Sequence, residues 1–208
     1  MTSETRVPWI VGVSGASGTP YARALLTALL GAGLPVDLVV SRAARLTLLD
    51  ETGVTWHDDV ASLQAWLGSD AGDLRFWGPG DLAAGPSSGS YPTRGMVVVP
   101  ASTAAVAGIA LGLSKDLLQR AASVTLKERR PLVVVPRETP LDRPTLQHLL
   151  ALHDAGAVVL PASPGFYGGA EQVQQLVDFV AGKALDVMEV EHDLLTRWEG
   201  RLGARRQA

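Results

Sequence analysis

The chain contains no cysteine among its 208 residues. That excludes a disulfide scaffold, a thiolate nucleophile and a Cys-ligated metal, and it is compatible with a reducing cytoplasm. A large excess of charge of either sign is also lacking, the formal net charge being -3 at pH 7. There is then no electrostatic case for nucleic acid or an anionic membrane as partner, and any polyanion site must be local, built from a few arginines and lysines. Long apolar runs are missing: Gly, Pro or charge breaks each one well before the roughly 18 residues a membrane span needs. Residues 1–6 are polar and precede no long apolar segment, so no secretory signal is expected and a cytoplasmic location is. The histidines, His57, His148, His153 and His192, show no metal-ligand spacing, and His148 and His153 do not share a helix face. No metal site is expected. The G-x-S-x-G elbow of serine hydrolases is absent, and no Ser–His–acid arrangement suggests itself.

What is present reads as an α/β protein. Hydrophobic residues make up 47% and charged residues 19%, the balance of a globular chain rather than a disordered one. The length suits a single domain over 1–208, with an N-terminal extension over about 1–7 and a polar tail over about 199–208. Short apolar runs at 9–13, 36–40, 95–100, 131–136 and 157–161 predict strands. Helical stretches fall between and after them, at about 20–30, 43–52, 103–111, 116–128, within 139–155, and 170–188. Continuous apolar strands alternating with helices indicate a mostly parallel sheet covered on both faces, a doubly wound Rossmann- or flavodoxin-like fold. Residues 56–90, rich in Gly, Pro, Asp and Ser, predict only short elements and loops.

The first strand runs into GVSGASG (12–18) and then a helix. That order exposes backbone N–H groups at a helix N-terminus, where the dipole favours an anion and glycine lets a phosphate come close. Ser14 and Ser17 add hydroxyl donors. The bland alternative is a tight turn against the sheet. The turn is not a dinucleotide fingerprint, because an NAD site wants an acid at the end of the second strand. Here Asp37 stands at the start of that strand and Ser41-Arg42 at its end. Arg42 keeps an NADP-dependent reductase as a rival reading.

Two charged segments flank the fourth strand: LKERRP (126–131) precedes it and PRETP (136–140) follows it. Ligands of open parallel sheets bind beyond the carboxyl ends of the strands. Arg137 and Glu138, held between prolines in an extended loop, are therefore candidates for function and not only a surface ion pair. LKERRP reads equally as a solvated helix end whose basic residues suit the dipole.

Taken together, GVSGASG, SRAARLTLLDE (41–51), SSGSYPTRGMVVVPAS (87–102), RAASVTLKERRPLVVVPRETPL (120–141) and PGFYGG (164–169) resemble, in order and spacing, the bacterial flavin prenyltransferases of the UbiX/Pad1 family. The match runs over nearly the whole chain, down to Arg197-Trp198, and LKERRPL followed by RETPL is its most specific part. The resemblance implies an enzyme that joins the dimethylallyl group of dimethylallyl monophosphate to N5 and C6 of reduced FMN without a metal. The product, prenylated FMN, would serve a partner decarboxylase. A homo-oligomer, a dodecamer with the flavin near subunit interfaces, is implied as well.

By the same resemblance Gly15, Ala16, Ser17, Ser41, Ser102, Thr103, Ala104, Ala105 and Arg137 would contact FMN. Dimethylallyl phosphate would be held by Lys127, Arg137, Tyr167 and Lys183, with Arg120 and Glu51 shaping the pocket. The implied catalytic set is Ser17, Glu51, Glu138, Lys127 and Trp198. Glu138 would relay protons, Ser17 would assist at the flavin with Glu51 orienting it, and Trp198 would shield an allylic cation through its ring face. Three positions depart from the family pattern. Ala105 stands where Thr is frequent, Lys183 stands where Arg is common and trades a bidentate fork for a point charge, and Gly168-Gly169 follows Tyr167. An FMN-dependent Cys decarboxylase related to phosphopantothenoylcysteine decarboxylase shares the PAST turn (100–103) and could invoke His57, but leaves KERRPL and RETPL unexplained. A non-catalytic flavin carrier is the remaining alternative.

Overall fold

The computed structural model describes residues 7–68, 72–198 and 200, so the expected N-terminal extension and polar tail lie outside it apart from Val7 and Gly200. The elements run β1 (Trp9–Val13), α1 (Thr19–Gly31), β2 (Val36–Val40), α2 (Arg42–Thr52), α3 (Val60–Leu67), β3 (Leu74–Trp77), β4 (Gly95–Ala101), α4 (Thr103–Ala110), α5 (Leu117–Lys127), β5 (Leu132–Pro136), α6 (Arg143–Asp154), β6 (Val158–Val159) and α7 (Val173–Val187). A short 3-10 turn at Gly85–Ser87 interrupts the segment between β3 and β4.

Every residue of β1, β2, β4 and β5 is buried, which is why these strands read as apolar runs, interrupted only by Asp37 in β2. Alternate side chains serve two separate cores. Val11, Val13, Leu38, Val40, Val97 and Val99 meet α1 and α7 on one face, through residues such as Leu25, Leu29 and Leu185. Ile10, Val39, Met96, Val98 and Val134 meet α4, α5 and α6 on the other, through Val106, Leu118 and Leu149. The sheet is wholly parallel, with strand order β3-β2-β1-β4-β5-β6. The chain builds outward from β1 to β3, then crosses back to lay β4 on the other side of β1. The crevice between the carboxyl ends of β1 and β4 is therefore the topological switch point, where open α/β sheets take their ligands.

Two elements fall in the stretch where the residue pattern predicts only short pieces. β3 is a four-residue edge strand with no fully buried residue, so neither an apolar run nor clean alternation marks it. α3 is eight residues long and capped by Asp59, whose carboxylate accepts from Ser62 N at 2.7 Å. The strand expected over 157–161 contracts to Val158–Val159 at the other edge. Among the described residues, no helix is long and apolar enough to cross a membrane.

Candidate functional site

One buried hydroxyl ties the switch point together. Ser14 Oγ donates to Pro100 O at 2.8 Å and accepts from Ser102 N at 2.7 Å, joining the turn after β1 to the start of α4. Ser41 N donates to Val13 O at 2.9 Å and brings the end of β2 alongside. Ser41 and Ser102 are the N-caps of α2 and α4, accepting from Ala44 N and Ala105 N, each at 3.2 Å. Past each cap the first helical amides have no intrahelical partner and point out of the helix end. Gly15 rests on this platform. A Cβ there would lie 2.5 Å from Ala43 Cβ and 3.0 Å from the Ala43 carbonyl carbon, so only glycine lets the turn seat against α2.

Between these ends opens a cleft of about 320 Å³ lined by Gly15, Ser41, Ser102, Ala104 and Ala105, with Arg42 and Lys115 supplying positive charge. Its size is within the usual range for small-molecule sites, and two helix N-termini with two cations form a donor set suited to a phosphate. Leu118 and the alanines add apolar wall for a flat ring system. The residues present therefore fit FMN.

Pro79, Gly80, Lys115, Asp116 and Gln119 also line the cleft, and sequence reasoning missed them. Lys115 N donates to Gln119 Oε1 at 3.1 Å, and Gln119 N to Asp116 Oδ1 at 2.9 Å, so this corner is the capped start of α5. Two signals could have found it: the D-x-x-Q capping pattern at 116–119, and the Pro-Gly pair just after LRFW.

The N-terminus of α1, which the sequence reading assigned to an external anion, holds an internal one. Glu51 accepts from Gly18 N at 2.9 Å, from Thr19 N at 2.8 Å and from Thr19 Oγ1 at 2.7 Å. Pro20 has no N–H, and Tyr21 N is turned to Gly18 O at 3.1 Å. These first-turn donors are thus occupied, and the phosphate expectation is corrected at this helix end. The reason is a glutamate at the far end of α2 that folds onto the turn. Burial pushes the Glu51 carboxyl upward, but hydrogen bonds from the Thr19 and Ser17 side chains and from the Gly18 and Thr19 amides outweigh it and hold it below the ordinary glutamate value.

Arg137 stands beside the same turn, its Nε donating to Ser17 O at 3.0 Å and its backbone N to Ala101 O at 3.2 Å. Glu138 follows, exposed, with Oε1 accepting from Thr139 N at 3.0 Å. Ala16 is buried under the turn and Ser17 is exposed on it. Gly15, Ser17, Glu51, Arg137 and Glu138 thus gather at one sheet edge with Ser41, Ser102, Thr103, Ala104 and Ala105.

Other expected residues do not line that cleft. Lys127 ends α5 at the opposite edge, where β5 begins, and pairs with Glu128. Arg120 donates through Nε to Ser87 O at 3.1 Å. Tyr167 packs edge-on against both Phe179 and Trp198, with ring centroids 5.7 and 6.1 Å apart. Lys183 is engaged by Asp186 at 3.1 Å, and Asp186 also takes Arg197 at 2.9 Å and His192 at 3.1 Å. His57 lies in the loop between α2 and α3, and its backbone N donates to Ser62 Oγ at 3.0 Å.

Comparison with known proteins gives one consistent picture. A family model described as Flavoprotein matches residues 1–185. The flavin prenyltransferase UbiX of Streptomyces coelicolor is 65% identical, over 96% of this chain and 99% of its own length. The crystal structure of AnUbiX (PadA1) in complex with FMN and dimethylallyl pyrophosphate superposes with a TM-score of 0.85 at 36% identity, covering 95% of this chain and 100% of that one. A dodecameric FMN-dependent UbiX-like decarboxylase from Escherichia coli O157:H7 gives 0.83 at 39% identity, covering 93% of this chain and 100% of that one. The FMN-dependent cysteine decarboxylase TvaF reaches 0.59 at 16% identity over 88% of this chain and 99% of that one, a likeness of fold alone.

Proposed function

The chain belongs to the flavoprotein family and, within it, to the UbiX flavin prenyltransferases, and from that membership we propose that it joins a dimethylallyl group to reduced FMN in the cleft beyond β1 and β4. The observation that carries the reading on this chain is the convergence of two serine-capped helix ends, α2 and α4, with Arg137 locked over the turn between them. FMN is the cofactor of this site, bound by Gly15, Ala16, Ser17, Ser41, Ser102, Thr103, Ala104, Ala105 and Arg137. Arg42 and Lys115 add charge for its phosphate.

Reduced flavin, when bound, supplies the electron-rich N5 and C6 that receive the two ends of the allyl group. The chain's own task is to part the allylic C–O bond, whose electron pair leaves with the phosphate. Lys127, Arg137, Tyr167, Lys183 and Arg120 hold the departing phosphate through charge-assisted hydrogen bonds aimed at the leaving group. Trp198, edge-on to Tyr167, offers a ring face to the allylic cation. Glu138 takes the proton displaced at C6, and Ser17, tethered by Glu51, steers protons at the flavin. Lys127 at the far sheet edge would serve the cleft of a neighbouring copy if this chain assembles into a homo-oligomer, as the dodecameric E. coli relative does. A decarboxylase receives the product, and the enzyme works in the cytoplasm as one flavoprotein domain.

Anaerobic incubation with reduced FMN and dimethylallyl monophosphate should yield a flavin heavier by one dimethylallyl group on mass spectrometry. Unmodified FMN alone sinks the assignment. Glu138→Gln should keep FMN affinity and lose turnover, and full activity in that variant removes Glu138 from the mechanism.

A further inference from the structure

Asp37 is the acid whose place at the start of β2 argued against an NAD site, and nothing in the proposed reaction uses it. It is 2% exposed within the parallel sheet, paired with Ile10 on one side and Arg75 on the other. A carboxylate buried there is costly unless its oxygens are satisfied, and a valine would serve the sheet better. Both oxygens are satisfied, by residues from the two ends of one segment. Trp77 Nε1, at the end of β3, donates to Oδ1 at 2.9 Å, and Tyr91 OH donates to Oδ2 at 2.9 Å. The two rings meet edge-on at 6.4 Å, and Arg75 closes the group, its Nη1 donating to Tyr91 OH at 3.2 Å and its guanidinium 5.6 Å from the Trp77 ring centre. Burial raises the Asp37 carboxyl against the pull of the Trp77 and Tyr91 hydrogen bonds, and burial together with Asp37 pushes the Tyr91 hydroxyl to about 12, so its proton stays on as a donor.

The segment so gripped, residues 78–90, forms a wall of the cleft. Pro79 and Gly80 line it, and Pro79 O accepts from Leu117 N at 2.8 Å. Further along, Ser87 O takes Arg120 Nε, and Gly89 O and Tyr91 O take Arg130 at 2.8 and 2.9 Å. The Tyr91 ring sits on Gly85, where an added Cβ would lie 2.7 Å from it. From this connectivity we infer that Asp37 is a positioning residue for the flavin cleft: by holding Trp77 and Tyr91 together it preforms the Pro79-Gly80 wall before FMN arrives. The inference rests on the cleft being the FMN site.

The test is Asp37→Asn in the full-length protein, with Tyr91→Phe as a milder second variant should the first fold poorly. Asn has one acceptor oxygen for the two donors, so one grip is released. FMN should dissociate about tenfold more readily from Asp37→Asn well below its Tm, and amide exchange over 78–91 should quicken in the flavin-free protein. The KM for dimethylallyl phosphate at saturating FMN should not move. Asp58→Asn is the control, because Asp58 likewise accepts from an indole, Trp56 Nε1 at 2.6 Å, and from Arg45 at 2.5 Å, but its partners line no part of the cleft. It should lower Tm and leave FMN affinity alone. FMN affinity within twofold of the parent in both Asp37 and Tyr91 variants overturns the inference, as does equal weakening by Asp58→Asn. A parent protein that fails to bind FMN overturns the cofactor reading instead, and the flavin-free exchange measurement tells the two failures apart.

Discussion

The N-terminus of α1 and those of α2 and α4 meet around the turn after β1, yet they are finished in opposite ways. At α1 the donors face inward and are consumed: Glu51 takes the amides of Gly18 and Thr19 and the Thr19 hydroxyl, and Pro20 offers none. At α2 and α4 short serine caps satisfy one later amide each and leave the first ones facing the cleft. A glycine-rich turn before a helix thus announces available backbone donors, but the anion that takes them is settled by what else reaches the helix end. Here a glutamate from a neighbouring helix takes them, and the less conspicuous serine-capped ends keep their first amides for the phosphate proposed to bind there.

The largest effect is expected from removing that internal anion. Glu51→Ala should cost about 2–3 kcal/mol, allowing for partial solvent exposure, which lowers Tm by roughly 5–10 °C in a chain of this size. Sulfate should recover part of that loss in the variant and little in the parent, by thermal melts with and without the salt. A Tm within about 2 °C of the parent would mean that the α1 end is not held by Glu51. The same contact sets an acid limit. The folded Glu51 carboxyl lies below its ordinary value, so its contribution is complete above the unfolded pKa of about 4.3 and is lost as pH falls through the folded one. Stability of the parent should fall with acidification in that window, more steeply than that of Glu51→Ala.

Next in size is the tie between the two regions. Ser14→Ala leaves Ser102 N without its buried acceptor, while Pro100 O keeps the Ser14 amide at 3.2 Å, for about 1–3 kcal/mol of stability. Because Ser102 is the cap that opens α4 to the cleft, FMN affinity should weaken about tenfold, as read by flavin fluorescence titration; unchanged affinity would separate the tie from the site. The smallest effect sharpens the comparison most. Ser41→Ala should cost about 1 kcal/mol, near fivefold in FMN affinity, with riboflavin binding unchanged. An equal loss for riboflavin would place the phosphate away from the α2 end.

Much of the architecture was legible because buried parallel strands leave a strong trace. WIVGV, GMVVVPA and LVVVP are apolar on both faces, the mark of parallel strands covered by helices on either side. β3 was not legible, since a four-residue edge strand with no buried residue carries no such trace. Losing β3 also hid Pro79 and Gly80, because a loop is placed at the ligand edge only once its strand is placed. Arg137 was a candidate by position and rigidity, and the structure sets its guanidinium against Ser17 O in the turn after β1. The KERRP run divided: Arg130 staples the segment before β4 through Gly89 O, Tyr91 O and Thr93 Oγ1, and Lys127 stands with Glu128 at the far edge.

By itself the sequence determined the parallel sheet, the family, and the residue types that gather beyond β1 and β4, since hydrophobic periodicity and local turn chemistry act over a few residues and survive in one dimension. Only the tertiary structure decided that Glu51 takes the α1 helix end, because it is separated from Gly18 by 33 residues along the chain and meets it only when α2 packs beside α1. The same holds for Asp37, which reads as a misplaced acid until β3 and Tyr91 close over it. Hydrogen bonds of this kind depend on distances set by packing, and no local pattern encodes them.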